Sequence, residues 1–404
     1  MTIVKILNMM KLPSPLLLIF LLLISGCNWQ KERVSNVNAE TTGQVQPETP
    51  VKPKSYTKEA KLVAVGDILM HLSLTRSGYN PQKKTYNFDG FFKEVKPIIS
   101  SADWAIANLE TTLAGAAAGY EGYPLFNAPA EVADAAKKAG FDVLTTANNH
   151  ALDKGEKGVI NTINNVQKWG IPAVGTARSQ KEASKILIIK KNDISMAIMA
   201  YTYGTNGIPI PKGKNYLVSL IDEGKIVRDI ARARKQGAEI VTICLHFGDE
   251  YQRLPNAKQR QMVERLVKSG ADIILGSHPH VVQPYQVFKV KGIDGKIRTR
   301  TVIYSMGNFI ANQSGKYRNL GVIFSVNLQK RFPEKTVEIT KVEAIPTWVH
   351  KYPLNGKLNF RVLPIATVVN RPKYPLLPSS AYPSLKKDLT EMDKHLKSLS
   401  PKNL

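Results

Sequence analysis

Histidines follow several short apolar runs of this chain, at the points where each run gives way to polar residues. The run after Gly270 ends in His278 and His280, which are spaced one residue apart. Comparable runs end in His150 and in His246. An imidazole nitrogen can bind a metal ion or move a proton. Both kinds of chemistry need the ring on a loop that a rigid element holds in place.

Carboxylate and amide side chains stand in equivalent positions. Asp67 follows one apolar run and Glu110 follows another, while Asn149 directly precedes His150. Such oxygen donors, together with imidazole nitrogens, suit Zn²⁺, Mn²⁺ or Fe. Any one histidine of this kind would more often be a hydrogen-bonded loop residue, so the prediction of a metal site rests on the set. Of the seven histidines in the chain, those at run ends are His71, His150, His246, His278 and His280.

The elements that must position these residues follow a common order. Gly140, Gly237 and Gly270 each come after an amphipathic segment and suit the left-handed position that ends a helix. The order is therefore helix, glycine, strand, ligand. Ligands usually bind where the carboxyl ends of such strands meet at one edge of a sheet, so one site built from several strand ends is predicted. The intervals between the runs are irregular, which excludes a solenoid repeat.

Alternating strands and helices predict an α/β sandwich, with the folded domain placed at residues 58–346. Segments 185–189 and 194–200 predict one hairpin, and segments 287–290 and 301–304 predict another. Because hairpin strands are antiparallel, the sheets are predicted to be mixed. Residues 347–404 are rich in Pro and Lys, and the sequence leaves open whether they wrap the domain or trail loosely.

Composition and charge indicate a globular protein with anionic partners. The chain has 404 residues, of which 43% are hydrophobic and 22% charged, as in an ordinary globular protein. Lys and Arg number 56 against 32 Asp and Glu, which gives a net charge of +24. This charge favours anionic partners. Nucleic acid is not expected among them, because zinc-finger, RNA-recognition and helix-turn-helix patterns are absent from the sequence. Two cysteines provide no disulfide framework.

The amino terminus has the features of a secretion signal. Residues 1–26 contain two lysines and then an apolar run that is too short to span a bilayer. Residues 23–27, which end in Cys27, resemble the lipobox of bacterial lipoproteins, in which cleavage precedes a cysteine that receives lipid. An ordinary secretory signal with an incidental cysteine is the alternative. Residues 27–57 have the polar composition of a flexible tether. A lipid-anchored bacterial protein on the extracytoplasmic face of the cell membrane is therefore expected.

Six motifs together resemble the CapA (PgsA) family of capsule and poly-γ-glutamate biosynthesis proteins over roughly residues 61–315. That family is similar in turn to the calcineurin-like metallophosphoesterases. The resemblance implies a four-layer α/β/β/α sandwich with mixed sheets. The motifs are Gly66-Asp67, Asn108-Leu-Glu110, Ala147-Asn-Asn-His150, His246-Phe-Gly-Asp-Glu-Tyr251, Gly276-Ser-His-Pro-His280 and Ser305-Met-Gly-Asn-Phe309.

The resemblance also implies roles for individual residues. Asp67 and His280 would bind a first metal ion, and Glu110 would bridge to a second. Asn149, His246 and His278 would complete the second site. His150 would lie beside the substrate as an acid or a charge stabiliser. One or two divalent transition-metal ions are therefore expected, with Mn, Zn and Fe as the candidates.

The sequence departs from the metallophosphoesterase pattern at the first motif. Those enzymes have histidine two residues after the first aspartate, where this chain has Leu69. His71 either replaces that ligand or has a supporting or structural role, and a mononuclear site is an alternative. Supporting or substrate-binding roles are also assigned to Asn108, Glu250 and Asn308. Cys244 is interpreted as a small buried hydrophobic residue.

Two functions remain open from the sequence. The first is a metal-dependent hydrolase of the metallophosphoesterase type that acts on a phosphorylated cell-envelope substrate or on an anionic polymer. The second is a non-catalytic subunit that binds poly-γ-glutamate or its membrane-bound synthase and has a degenerate metal site. The ligand set favours the first function, and Leu69 favours the second.

Overall fold

The computed structural model describes residues 54–292, 295–371 and 373–404. The predicted signal segment with Cys27, and all of the tether up to residue 53, lie outside these residues. Within the described ranges, no helix combines the length and apolar character needed to cross a membrane.

The described chain alternates strands and helices. The strands are β1 (Tyr56–Ile68), β2 (Tyr79–Asn80), β3 (Thr85–Tyr86), β4 (Trp104–Leu109), β5 (Val143–Thr145), β6 (Ala173–Val174), β7 (Leu187–Lys191), β8 (Ile194–Thr202), β9 (Ile240–His246), β10 (Ile273–Ser277), β11 (Val282–Lys291), β12 (Ile297–Met306), β13 (Asn308–Ile310), β14 (Leu320–Phe332), β15 (Thr336–Leu354), β16 (Lys357–Pro364) and β17 (Lys402–Asn403). The helices are α1 (Leu72–Ser77), α2 (Asp89–Phe92), α3 (Lys96–Ile99), α4 (Glu131–Ala139), α5 (Gly155–Gln167), α6 (Gln180–Ala183), α7 (Glu223–Lys235), α8 (Ala257–Lys268), α9 (Ile365–Val369) and α10 (Ala381–Leu396).

The fold contains two large mixed β-sheets. The first has the order β16-β15-β14-β1-β4-β5-β6, with β13 also paired to β1. The second has the order β17-β11-β12-β10-β9-β8-β7. In the middle of each sheet the strands are parallel: β1, β4 and β5 in the first, and β8, β9, β10 and β12 in the second. The carboxyl ends of these central strands therefore meet at one edge of each sheet.

The sheets pack face to face and helices cover their outer faces. Apolar side chains from both sheets, Leu62 and Ile198 among them, form the core between the sheets. The alternate residues of β1, such as Val63, point to the outer face of the first sheet, where α2, α4 and α5 pack. Helices α7 and α8 cover the second sheet in the same way, with Ile230 and Leu266 buried. Strands that are buried on both faces read as continuous apolar runs, as these do. The predicted four-layer α/β/β/α sandwich with mixed sheets is confirmed.

The predicted local features are also present. Strands β7 and β8 form an antiparallel hairpin. Its two-residue loop consists of Asn192 and Asp193, and both residues have positive φ. This is the backbone that suits the right-handed twist of a hairpin. Strands β11 and β12 form the second predicted hairpin. The helix-ending glycines Gly140, Gly237 and Gly270 all have φ values near +100°.

The carboxyl-terminal residues wrap onto the folded domain. Strand β15 continues past Pro346 and pairs with β16, which extends the first sheet at its edge. Residues of α9 and α10, including Val368 and Leu385, are buried in the core between the sheets. Strand β17 then pairs with β11 at the edge of the second sheet.

Candidate metal centre

Two clusters of potential metal ligands lie where the central strands end, and they share one residue. Asp67, Glu110 and His280 form the first cluster, and Glu110, His246 and His278 form the second. Within each cluster, one nitrogen or oxygen atom per residue lies within 4.8 Å of the others. All five side chains are buried. They come from the ends of β1, β4, β9 and β10, so both sheets contribute.

Asn149 brings a further oxygen to the second cluster. Its Oδ1 atom lies 2.8 Å from Nε2 of His246. Its amide nitrogen donates a hydrogen bond to Oδ1 of Asn206 at 3.1 Å, which turns the carbonyl oxygen toward the cluster. The structure therefore brings together the six residues that the sequence analysis assigned as metal ligands.

Two buried asparagines hold the ligands in place. Asn108 donates a hydrogen bond to Oδ1 of Asp67 at 2.8 Å, and the same nitrogen lies 3.3 Å from Nδ1 of His246. Oδ1 of Asn308 lies 3.2 Å from Nδ1 of His280. The amide nitrogen of Asn308 donates to the backbone oxygen of His280 at 3.2 Å and to that of Arg318 at 2.8 Å. Contacts of this kind orient metal ligands in proteins.

The backbone around the histidine loop is tightly constrained. His278 and His280 have φ values of 103° and 57°, which side chains other than glycine rarely adopt. A Cβ atom on Gly276 would lie 1.9 Å from the backbone oxygen of Tyr304. A Cβ atom on Gly66 would lie equally close, at 1.9 Å, to the backbone oxygen of Gly307. Strained backbone of this kind is concentrated at functional sites.

The buried carboxylate at the centre has no hydrogen-bond partner among the described residues. Nε2 of His246 lies 3.3 Å from Oε1 of Glu110, without the geometry of a hydrogen bond. Burial, and then the neighbouring Asp67, raise the pKa of Glu110 well above its usual value. An uncompensated buried carboxylate is costly, and a bound cation removes that cost.

Two histidines beside this carboxylate, His246 and His278, favour the neutral form that binds metals. Burial lowers the pKa of His246 well below its usual value, and His278 and His280 lower it further. Burial, and then His280, lower the pKa of His278 to about 4. Nδ1 of His278 is buried without a partner among the described residues. Neutral imidazoles, carboxylates and an amide oxygen form a donor set that fits divalent Zn, Mn or Fe.

His150 lies beside the clusters and is oriented by a carboxylate that the sequence analysis missed. Its Nδ1 atom lies 2.8 Å from Oδ2 of Asp153, and both side chains are buried. The same oxygen accepts a hydrogen bond from the backbone nitrogen of Phe126 at 2.7 Å. The Phe126 ring packs edge-on against the imidazole, with ring centres 4.7 Å apart. The His-x-x-Asp spacing in the sequence was the signal for this pair.

The remaining candidates lie outside the two clusters. Nδ1 of His71 lies 3.2 Å from the backbone oxygen of Leu69 and accepts a hydrogen bond from the backbone of Asn312, also at 3.2 Å. Leu69 is buried against Phe126 and Ala311. These contacts favour a structural role for His71 over a ligand role.

Two further candidates can be placed by their exposure. Glu250 is exposed, and it is close enough to Glu110 and His278 for its charge to affect both. Cys244 is buried in the core between the sheets, where burial raises the pKa of its thiol to about 12 and keeps it protonated.

A four-layer sandwich with two potential ligand clusters that share one carboxylate has the metallophosphoesterase-like fold. The chain belongs to the family described as bacterial capsule synthesis protein PGA_cap, whose model matches residues 61–313. The predicted membership of the CapA family is thereby confirmed.

Two relatives of the chain are named as CapA proteins of PGA or capsule biosynthesis. The chain is 30% identical over 326 residues to the PGA biosynthesis protein CapA of Bacillus subtilis (strain 168), a match that covers 78% of this chain and 80% of that protein. It is 29% identical over 278 residues to the capsule biosynthesis protein CapA of Bacillus anthracis, covering 67% of this chain and 64% of that protein. Among solved structures, the calcineurin-like phosphoesterase YfkN of B. subtilis matches with a TM-score of 0.40 and 13% identity, over 72% of this chain and 91% of that chain.

Proposed function

We propose that this protein is a metal-dependent phosphoesterase of the bacterial cell surface that acts in capsule biosynthesis. The observation that carries the proposal is the buried carboxylate of Glu110, which lies between the two ligand clusters without a hydrogen-bond partner among the described residues. The names of the two relatives support the pathway, since both are described as CapA proteins of capsule or PGA biosynthesis.

Each residue of the centre has a role in this proposal. Asp67, Glu110 and His280 would hold one ion, while Glu110, Asn149, His246 and His278 would hold the other. Ions held there would supply an activated water molecule and would stabilise negative charge on a phosphoryl oxygen. His150, held by Asp153, donates a proton to the oxygen of the leaving alcohol as the P–O bond breaks. The burial of the ligands excludes bulk water, which strengthens each electrostatic contact.

The proposal is tested by metal content and hydrolysis together. Full-length protein extracted in detergent should contain one or two transition-metal ions per chain by elemental analysis. It should hydrolyse para-nitrophenyl phosphate or bis(para-nitrophenyl) phosphate, lose that activity in chelator and regain it when Mn²⁺, Zn²⁺ or Fe²⁺ is returned. Metal-loaded protein that hydrolyses neither ester would contradict the proposal.

A non-catalytic subunit is the second candidate, and the strongly basic composition favours it. A net charge of +24 suits a polyanion such as poly-γ-glutamate or a contact with its membrane-bound synthase. Binding of poly-γ-glutamate that weakens with salt, in a protein without phosphoesterase activity, would support this candidate.

Lipid attachment at Cys27 is proposed for the location of the protein. The mature chain would begin at Cys27, and residues 27–57 would tether the domain (residues 58–346 with the 347–404 extension) to the extracytoplasmic face of the membrane. Mass spectrometry of the membrane-extracted protein should find a lipid-modified Cys27 at the amino terminus. Cys27→Ala should release the protein or leave it unprocessed. An unmodified Cys27 in the wild type, or a different start, would contradict lipid attachment.

A further inference from the structure

Exposed aromatic side chains are concentrated beside the metal centre. Within the described ranges, the exposed aromatic residues are Tyr56, Tyr123, Tyr203 and Tyr251. Tyr56 lies at the far end of β1, where it stacks on Phe332. The other three, called here the tyrosine collar, come from the loops after β4, β8 and β9. Clustered apolar surface of this kind often marks a site of recognition.

Two tyrosines of the collar lie near histidines of the centre, and the third lies near Phe126, whose ring packs on His150. The ring centre of Tyr203 lies 4.6 Å from that of His278, and that of Tyr251 lies 6.1 Å from that of His280. Tyr123 is 81% exposed, and its ring centre lies 6.4 Å from that of Phe126, the residue that packs on His150. The collar therefore lies beside both ligand clusters and His150.

The side chain of Arg318 packs on this collar and has no carboxylate partner among the described residues. The guanidinium carbon of Arg318 lies 3.5 Å from the ring centre of Tyr251. Within the described part of the chain, no carboxylate lies within ion-pair distance of Arg318, whereas the nearby Arg253 is paired with Glu391 at 2.9 Å. The Arg318 backbone is fixed by Asn308, which also orients His280.

One acidic group also faces the collar. Burial, and then Glu250, raise the pKa of Tyr251 to about 12, while Arg318 acts in the opposite direction. Glu250 therefore lies close to Tyr251, and Arg318 lies over the face of its ring. A ligand whose flat part packs on the collar can place an anionic group at Arg318 and away from Glu250.

We propose that the tyrosine collar and Arg318 bind the leaving group of the substrate, and that this group carries a planar ring or amide and a second anionic group. The inference rests on the proposed phosphoesterase function and specifies its substrate class. In the reaction, water adds to phosphorus, the P–O bond breaks, and the leaving oxygen takes a proton, so the collar holds the released alcohol. Tyrosine faces supply stacking area, and a guanidinium supplies a directional contact to a carboxylate or phosphate.

A matched substrate pair tests the role of Arg318. The substrates are para-(carboxymethyl)phenyl phosphate and para-(hydroxyethyl)phenyl phosphate, which have similar leaving groups but differ by one negative charge. Wild type should prefer the charged ester by about two- to fivefold in kcat/KM, in the range of a partly exposed ion pair. Arg318→Ala should abolish the preference, because it lowers kcat/KM for the charged ester more than for the uncharged ester. Arg331→Ala, at the far end of β14, is the matched control and should keep the preference.

A second variant tests the collar. Tyr123→Ala removes a highly exposed ring at little structural cost, and it should lower kcat/KM for both aryl esters about two- to tenfold through a higher KM. Tyr56→Ala should change neither value. Equal rates of wild type and Tyr123→Ala would overturn the stacking role.

Binding separates failure of this inference from failure of the proposed function. Calorimetry would use the two corresponding benzylphosphonates, which cannot be hydrolysed, with wild type and Arg318→Ala. If wild type binds the charged phosphonate more tightly, and Arg318→Ala does not, the leaving-group site stands even where no ester is hydrolysed. Equal affinity of wild type for both phosphonates, or an equal loss for both in Arg318→Ala, would overturn it.

Discussion

Replacing Glu110 by glutamine should remove metal from both clusters and abolish hydrolysis of phosphoesters. Glu110 is the residue that the two clusters share, and both of its oxygens are buried without hydrogen-bond partners among the described residues. Glutamine has nearly the same shape but lacks the negative charge, so each ion would lose an anionic ligand at once. Elemental analysis should find at most a small fraction of the wild-type metal, and the rate should fall to that of the protein in chelator.

The same substitution has a distinct effect on stability. Chelator should lower the unfolding temperature of the wild type, because metal at 100 times its Kd contributes about 2.7 kcal/mol. Chelator should leave the unfolding temperature of Glu110→Gln unchanged. In chelator the variant should be at least as stable as the wild type, because it no longer buries an uncompensated carboxylate.

A glutamate at the far end of β1 provides the control for this prediction. Glu59 is exposed, and Glu59→Gln should behave as the wild type in metal content, rate and unfolding temperature. Wild-type metal content in Glu110→Gln would contradict the shared-ligand assignment. If Glu110→Gln were less stable than the wild type in chelator, by as much as a core substitution, Glu110 would act through folding and not through metal binding.

The places of the candidate ligands in the fold could be predicted because each depends on a local pattern. A helix, a glycine and an apolar run place the next polar residue at the carboxyl end of a strand, whether that residue is His246 or His278. Parallel pairing then brings such ends to one edge, as in the register of Ser277 with His246. The shared role of Glu110 came from the family resemblance, since spacing alone does not say which carboxylate lies between two clusters.

Other parts of the site depend on long-range packing and were not predicted. Asp153 follows His150 by three residues, but acidic residues at that spacing are common, and its role depends on the backbone of Phe126. Arg318 lies at the tyrosine collar because its loop is bonded to Asn308 and its side chain packs on Tyr251. Loops without periodicity leave such contacts unspecified in the sequence.

The carboxyl-terminal residues illustrate the same limit for the fold. Their apolar pieces are short, so the sequence did not decide between wrapping the domain and trailing loosely. Strand β16 is stabilised by pairing with β15, and α10 is stabilised by Leu385 and Met392 in the core between the sheets. Both stabilising surfaces belong to distant parts of the chain, and the pattern within residues 347–404 does not contain them.

His150→Ala should keep its metal and lose about 10² to 10⁴ in kcat, the usual contribution of a general acid. The imidazole is outside both ligand clusters, yet it lies beside them and is fixed by Asp153 at 2.8 Å. The loss should be larger for an alkyl phosphate than for para-nitrophenyl phosphate, because an alkoxide needs the proton more than a nitrophenolate does. Elemental analysis and steady-state rates on the two esters measure both effects.

Asp153→Asn distinguishes a positioning carboxylate from one that is merely structural. An amide oxygen can still accept the Phe126 hydrogen bond, so the fold and the metal content should be retained, while the imidazole loses its charged partner. We expect kcat to fall by about tenfold or more with KM little changed, again most strongly for the alkyl ester, because oriented imidazoles depend on such partners. Free imidazole should restore part of the rate to His150→Ala and none to Asp153→Asn, since only the first variant leaves space for it. An equal loss on both esters in either variant, or a loss of metal that parallels the loss of rate, would show that these two residues act through folding or metal binding and not through proton transfer.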